Sequence, residues 1–334
     1  MKMRPFKFNL PKELISQYPL KEREKAKLMV VNRKNGKIIH DIFENIDKYM
    51  SEEDVLVLNN TKVIPARLLC RKETGGKIEI FLLKKIEKNK WNVLVGGKGK
   101  IGSKFYKEDI AGKIIEKKAD GSFIVEFNIE DENEIKKYGE VPLPPYIKRK
   151  AEEIDKIYYQ TVYAEKDGSI AAPTAGLHFT EQLLEKIQKK GIKVVYITLH
   201  MGWHSIKVFK EDNTEKNVST EFFEISQQTA EILNKSKKNK KNIIAIGTGT
   251  VRCLESSVEN GIIIRKKGFT ELFIKPGYKF KVVDKLITNF HLPDSTHLYL
   301  VSAFTGLDLI EKAYNIAVEK KYRFYSYGDS MFII

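Results

Sequence analysis

Apolar and polar positions follow one rhythm up to about residue 70, a second to about 140, and a third beyond 150. In the first stretch, two unbroken apolar runs, LMVVN at 28–32 and VLVLNN at 55–60, predict strands buried on both faces of a sheet. Ahead of them, NLPKELISQY at 9–18 predicts a short helix, with Pro11 near its first turn and Leu14, Ile15 and Tyr18 on one face. Between 70 and 140 the runs shorten to KIEIFLLKK, WNVLVGG, SKFY and SFIVEF, separated by glycine turns. That spacing predicts a small barrel or sandwich. The segment VPLPPYIKR at 141–149 has three prolines in four residues and predicts a connection without strand or helix.

Strand and helix patterns then alternate. Thr180 is placed to cap EQLLEKIQKK, which stops at Gly191 and leads into the strand KVVYITLH. Ser226 is placed to cap QQTAEILNK, with KSKKNKKN at 235–242 read as a solvated loop. The strand NIIAI at 242–246 meets a glycine turn and then a helix from Val251. Thr305 with Asp308 resembles a capping box opening a helix that puts Leu309, Ile310, Ala313, Tyr314 and Ala317 on one side. The expected fold class is therefore layered α/β, with a main domain of 1–69 and 150–334 and an inserted β-barrel domain of 70–149.

Composition narrows the function classes. The 334 residues hold 42% hydrophobic side chains, as a soluble globular chain does, and no apolar run is long enough for a signal peptide or a membrane span. A cytoplasmic, membrane-free protein is expected. Cys70 and Cys253 have no metal or redox spacing and read as reduced core residues. The net charge of +15 attracts polyanions such as RNA, although lysine-rich usage alone produces the same number. Nine of the 59 basic residues are arginines, so each arginine is a candidate for forked recognition of carboxylate or phosphate.

Five segments at strand ends collect the unusual polar residues: NNTKVIPAR (59–67), AAPTAGLHFT (171–180), TLHMGWH (198–204), GTGTVRCLES (247–256) and ITNFHLPDST (287–296). Ligands of α/β sheets bind at such ends. Gly247, Thr248, Thr250 and Arg252 suit a carboxylate held at a helix N-terminus, or form an ordinary turn that needs glycine. His200 and His204 are four apart but lack the adjacent glutamate and helix of a zinc site, so no metal is expected. His178, His200 and His291 lie beside Gly176, Gly202 and Pro293 and read as site histidines. His40, His204 and His297 read as structural ones. Asn60, Lys62 and Arg67 form a polar patch after a buried strand, and YRFYSYGDS (322–330) adds aromatics and Asp329.

Together the segments DVLVLNNTKVIPARL, TGGKIEIFLL, YGEVPLPPYI, YQTVYAEKDGSIAAPTAGLHFT, FIKPGYKFKVVDKLITNFHLP, LVSAF and YRFYSYGDSM resemble the S-adenosylmethionine:tRNA ribosyltransferase-isomerase family of queuosine biosynthesis. The chain reads GTGTVR and LHMGWHSI where that family usually has GTTSVR and LHVGxGTF. The resemblance implies transfer and isomerisation of the ribosyl group of S-adenosylmethionine onto 7-aminomethyl-7-deazaguanine at the tRNA wobble position. Adenine and methionine would be released, without a metal. For that chemistry His178, His200 or His291 is expected as base or acid, and Asp329 as partner of the cationic aminomethyl group or of the cofactor's ammonium. Thr174, Gly176, Gly247, Thr248, Thr250 and Arg252 would sit around S-adenosylmethionine, Asn60, Lys62 and Arg67 around the tRNA. A monomer is expected. An RNA methyltransferase or a non-catalytic basic RNA-binding protein are the alternative readings, separated by whether adenine and methionine are released.

Overall fold

The structure, a computed structural model, describes residues 6, 8–202, 220–264, 266–293 and 295–334. At its centre, four parallel strands lie side by side in the order Lys193–Leu199, Asp54–Asn59, Asn242–Ile246 and Lys285–Asn289. Beyond Lys285–Asn289 come Ser330–Ile333, antiparallel to it, then Lys27–Val31 parallel to Ser330–Ile333, and Ile38–Ile42 at the edge. On the other side, Glu221–Glu224 and Lys267–Thr270 add two antiparallel strands and complete a sheet of nine.

The apolar runs explain why this sheet is a middle layer. Side chains alternate across a strand, so a run without polar breaks must bury both faces. Val55 and Val57 join one hydrophobic cluster while Leu56 and Leu58 join another; Ile243 and Ala245 separate in the same way from Ile244 and Ile246. Helix Thr248–Ser257 supplies Val251 and Leu254 to the first cluster, and helix Glu181–Lys189 supplies Leu183, Leu184 and Ile187 to the second. No described helix is long and apolar enough to cross a membrane.

Strands Arg67–Lys72, Lys77–Lys85, Lys90–Gly96, Lys104–Lys107, Ile110–Lys117 and Phe123–Phe127 close into an antiparallel barrel. Leu68, Ile80, Val93, Phe105, Ile114 and Val125 fill its interior. A β-carbon at Gly112 would lie 2.4 Å from the Phe105 ring, so glycine there makes room for the aromatic plug. Where the chain enters and leaves the barrel, Arg67 and Glu140 exchange backbone bonds of 3.2 and 2.8 Å. The proline-rich connection then runs to Arg149, whose guanidinium grips the buried Asp155 through two bonds of 2.6 and 2.7 Å.

The α/β class with its barrel agrees with the sequence pattern, and several local expectations are corrected. Residues 9–18 form only a 3-10 turn, Lys12–Leu14, because Pro11 and Pro19 leave too little chain for a helix and Tyr18 stays exposed. Helix Gln227–Lys238 continues into the lysine-rich stretch read as a loop: Ala230 and Leu233 anchor it, and three lysines in its last turn complement the helix dipole. Thr305 closes helix Thr296–Thr305 instead of opening the next. Gly306, with φ +92°, is the junction before Leu307–Glu319. The helix expected from Val251 begins at Thr248. Thr180 and Ser226 cap their helices as expected, accepting from Leu183 N at 3.2 Å and Thr229 N at 3.1 Å. Cys70 and Cys253 are free and buried, and burial pushes the Cys70 thiol up to about 12.

Two measurements check this fold. The side chain of Asn59, 1% exposed, pairs with Leu199 C=O (2.9 Å), Leu199 N–H (3.0 Å) and Thr61 N–H (3.2 Å). Asn59→Leu strands all three buried groups and should cost about 3 kcal/mol in urea unfolding; a loss below about 1 kcal/mol would contradict that role. His178 is 4% exposed, and burial takes its pKa from 6.5 to about 4. The unfolded chain therefore binds this proton below pH 6.5 while the folded chain does not. This contribution vanishes above pH 6.5, lowers stability by about 2 kcal/mol between pH 7.5 and 5, and levels off below pH 4. Urea midpoints of His178→Gln should lose that part of the pH dependence.

Candidate active site

The carboxyl ends of the four parallel strands deliver Asn59, Met201, Ile246 with Gly247, and Asn289 with Phe290 and His291 to one crevice of about 660 Å³. This is where an open α/β sheet binds ligands. The 3-10 turn Thr174–His178 brings Thr174 and Ala175 to its wall. Tyr146 enters from the proline-rich connection, Tyr159 from the end of helix Glu153–Tyr158, and Tyr325 with Ser326 from the C-terminal turn.

One wall is a helix start. Gly247 adopts φ +87° and opens helix Thr248–Ser257, so the first-turn amides of that helix have no intrahelical acceptor. Thr250 caps backward, its hydroxyl donating to Ile246 C=O at 2.6 Å, and the amides at Thr248–Thr250 border the crevice. Gly249 lets Leu199 pack 3.5 Å from where a β-carbon would be. Arg252 sits one turn further on. It pairs with the buried Glu221 and donates to Leu272 C=O at 3.0 Å, outside the crevice lining.

The opposite wall is aromatic. Tyr146 and Tyr325 meet edge-on at 3.9 Å, and Tyr146 shares a 2.6 Å hydrogen bond with Ser326. Tyr325 has φ +75°, a costly conformation for a non-glycine residue that marks a constrained site. It is held by Phe290 C=O accepting from its amide (2.9 Å) and by Asn289, whose amide group donates to the Tyr325 carbonyl (2.8 Å).

Between these walls His291 and His297 stack, 5.2 Å apart and 10° from parallel. Burial and the neighbouring His297 hold His291 well below its ordinary pKa. Burial, and then the Arg252 charge, take His297 to about 4. Burial thus holds both imidazoles in the neutral form at pH 7. Tyr314 orients His291: its hydroxyl accepts from the His291 amide at 3.0 Å and shares a long contact of 3.5 Å with Nδ1.

The expected site residues separate into two groups. Thr174, Gly247, Thr248, Thr250 and His291 meet in the crevice. His178 lies behind it, its Nε2 3.0 Å from the Asn289 carbonyl oxygen. His200 lies on the barrel side, 2.8 Å from Thr61 Oγ1 and packed over Gly168. Gly176 is buried under Tyr163, whose hydroxyl would be 2.0 Å from a β-carbon there. Asp329 is 1% exposed and accepts from Lys27 N, Arg323 N and the Arg323 guanidinium, away from the crevice. Asn60 is buried between Thr198 and Glu165; Arg67 pairs with Glu79 at 3.1 Å; Lys62 is exposed, 3.9 Å from Asp167. His204 lies outside the described residues. Sequence reasoning missed His297, Tyr146 and Tyr159. The first reads in the sequence as a structural histidine, its signal being only a position six residues past His291, and the tyrosines stand as PPY and YYQ among ordinary aromatics. Among the described residues no group of three His, Cys, Asp or Glu side chains is arranged to hold a metal.

Comparison with known proteins places this architecture. A family profile described as "Queuosine biosynthesis protein" matches residues 3–333. Proteins called S-adenosylmethionine:tRNA ribosyltransferase-isomerase from Thermoanaerobacter sp. (strain X514) and Sulfurihydrogenibium sp. (strain YO3AOP1) are 52% and 50% identical, each alignment covering 100% of both chains. The crystal structure of an S-adenosylmethionine tRNA ribosyltransferase from Thermotoga maritima is 36% identical with a TM-score of 0.58, covering 99% of this chain and 100% of that one. With its crevice, barrel and full-length similarity, the chain belongs to the queuosine biosynthesis family.

Proposed function

We propose that the crevice binds S-adenosylmethionine and transfers and isomerises its ribosyl group onto 7-aminomethyl-7-deazaguanine in tRNA, releasing adenine and methionine. The single observation that supports this most is the convergence of an anion-binding helix start, an aromatic wall and two neutral histidines at one sheet edge. The amides at Thr248–Thr250 suit the methionyl carboxylate. Arg252, locked to Glu221 one turn behind, adds positive field and helps keep His297 neutral rather than forking the carboxylate itself. Tyr146, Tyr159, Phe290 and Tyr325 offer faces for a purine or deazapurine ring.

A sulfonium acidifies the protons on its adjacent carbon, so ribosyl chemistry needs a base within hydrogen-bond reach. His291 or His297 fills that role. His178 acts through Asn289, and His200 through the Thr61 turn, as supports of the crevice. Lys62 is the member of the Asn60, Lys62 and Arg67 patch whose charge is most exposed to RNA. Asp329 fixes the C-terminal turn that carries Tyr325. An RNA methyltransferase needs none of this proton transfer and yields S-adenosylhomocysteine.

Incubation with precursor tRNA and S-adenosylmethionine should release adenine and methionine and add a ribosyl-derived mass to the base. S-adenosylhomocysteine with a methylated base would reject the reading. His291→Ala and His297→Ala should lower kcat roughly 10²- to 10⁴-fold at the histidine acting as base, with KM for S-adenosylmethionine changed less than about threefold. Near-normal turnover in both variants would remove the pair from the chemistry.

A further inference from the structure

A second cavity, of about 280 Å³, lies behind the active-site crevice and shares Ser326 with it. Its lining includes Arg23, Arg323, His178, Tyr158 and Tyr327. Two of the nine arginines of a lysine-rich chain therefore face one small space. Arg323 is already neutralised by Asp329, at 2.8 Å. Arg23 is not: it lies flat over the Tyr158 ring at 5.1 Å and donates to Gln160 C=O at 3.0 Å and, weakly, to Ile157 C=O at 3.4 Å. No carboxylate of a described residue pairs with it, and burial lowers its pKa. A half-buried guanidinium compensated by carbonyl dipoles and an aromatic face, with no ion pair among the described residues, leaves room for an anion.

The neighbouring turn supplies further donors. Gly328 and Asp329 amides are spent on Tyr325 C=O and Arg323 C=O, whereas the amides of Ser326 and Tyr327 donate to no described protein acceptor. Both residues line the cavity, and they follow the left-handed Tyr325. Successive free amides after such a residue favour an anion. His178, neutral here, brings no competing charge, and the buried Asp329 carboxylate is saturated. A planar guanidinium fork beside free amides suits a tetrahedral oxyanion at the cavity mouth.

We propose that this cavity binds an RNA phosphodiester next to the nucleotide held in the crevice, with Arg23 as its principal contact. The proposal rests on the tRNA reading above and adds to it a register: Ser326 separates the base pocket from the phosphate pocket, so one nucleotide spans the wall between them. Arg23 is a binding residue and takes no part in the proton transfers.

The test uses an anticodon stem–loop carrying the deazaguanine, with the phosphate on its 5′ or its 3′ side replaced by a neutral methylphosphonate. The wild-type enzyme should bind one of these two RNAs about tenfold more weakly than the normal RNA. Arg23→Gln should bind the normal RNA about tenfold more weakly, show a salt dependence lower by about one counterion, and be indifferent to that same neutral linkage. Arg23→Lys keeps the charge without the fork and should recover only part of the lost affinity, and Lys88→Gln, an equal charge loss on the exposed barrel surface, should behave as wild type. Inorganic phosphate competing only at a free-anion site would weaken neither neutral-linkage effect. Wild-type indifference to both neutral linkages overturns the proposal whether or not the variant folds, as does Arg23→Gln binding that remains as linkage-sensitive as wild type. If binding follows the expectation but no adenine or methionine appears, the catalytic reading fails and the phosphate site stands.

Discussion

Where parallel strands part to make a crevice, every backbone group they release must be paired again, and that requirement governs this active site. Inside the sheet the ladder satisfies those groups; at the carboxyl edge it cannot. Two buried asparagines take over. Asn59 replaces the missing rungs between its own strand and Lys193–Leu199, and Asn289 reaches out of the sheet to hold the carbonyls of Tyr325 and Ser326. An amide carries both donor and acceptor and is uncharged, so it fits a dry strand end that neither a carboxylate nor an alkyl side chain would satisfy. His178 then fixes which way the Asn289 amide faces. The imidazole of His178 thereby reaches the aromatic wall through one amide.

The electrostatics of the crevice follow from the same dryness. Burial keeps His291 and His297 neutral, and the positive character is carried by helix amides and a set-back arginine. A sulfonium substrate is itself cationic. A site crowded with free arginines or lysines would repel it, whereas oriented amides hold its carboxylate without opposing its positive centre.

Much of the frame is legible in the sequence because it obeys local rules. Unbroken apolar runs announce a two-faced sheet, glycine-spaced short runs announce the barrel, and Thr180 and Ser226 announce helix starts. The failures share one cause, tertiary packing overriding a local signal. Lysines after Asn234 look like a loop until Leu233 and Ala230 pin the helix beneath them. Thr305 reads as a cap because the helix before it, uniformly apolar and buried, has no periodic face to reveal it. The site was legible as a set of strand ends but not in its ranking. Spacing cannot say that His297 stacks on His291 while His178 turns inward, since that depends on which wall each segment meets. Motif similarity across the chain names the chemistry, and geometry alone assigns the proximity.

The strand Ser330–Ile333 stands between Lys285–Asn289 and Lys27–Val31, so the seventh place in the sheet is filled by the last residues of the chain. Leu28 therefore waits for Ser330, some three hundred residues away, before its edge is covered. The amino-terminal hairpin therefore has no partner on that side until residues 330–333 exist. The turn around Tyr325 leads directly into that strand, and Asn289 of the neighbouring strand holds its carbonyl. Closure of the sheet and assembly of the crevice wall thus depend on one short segment.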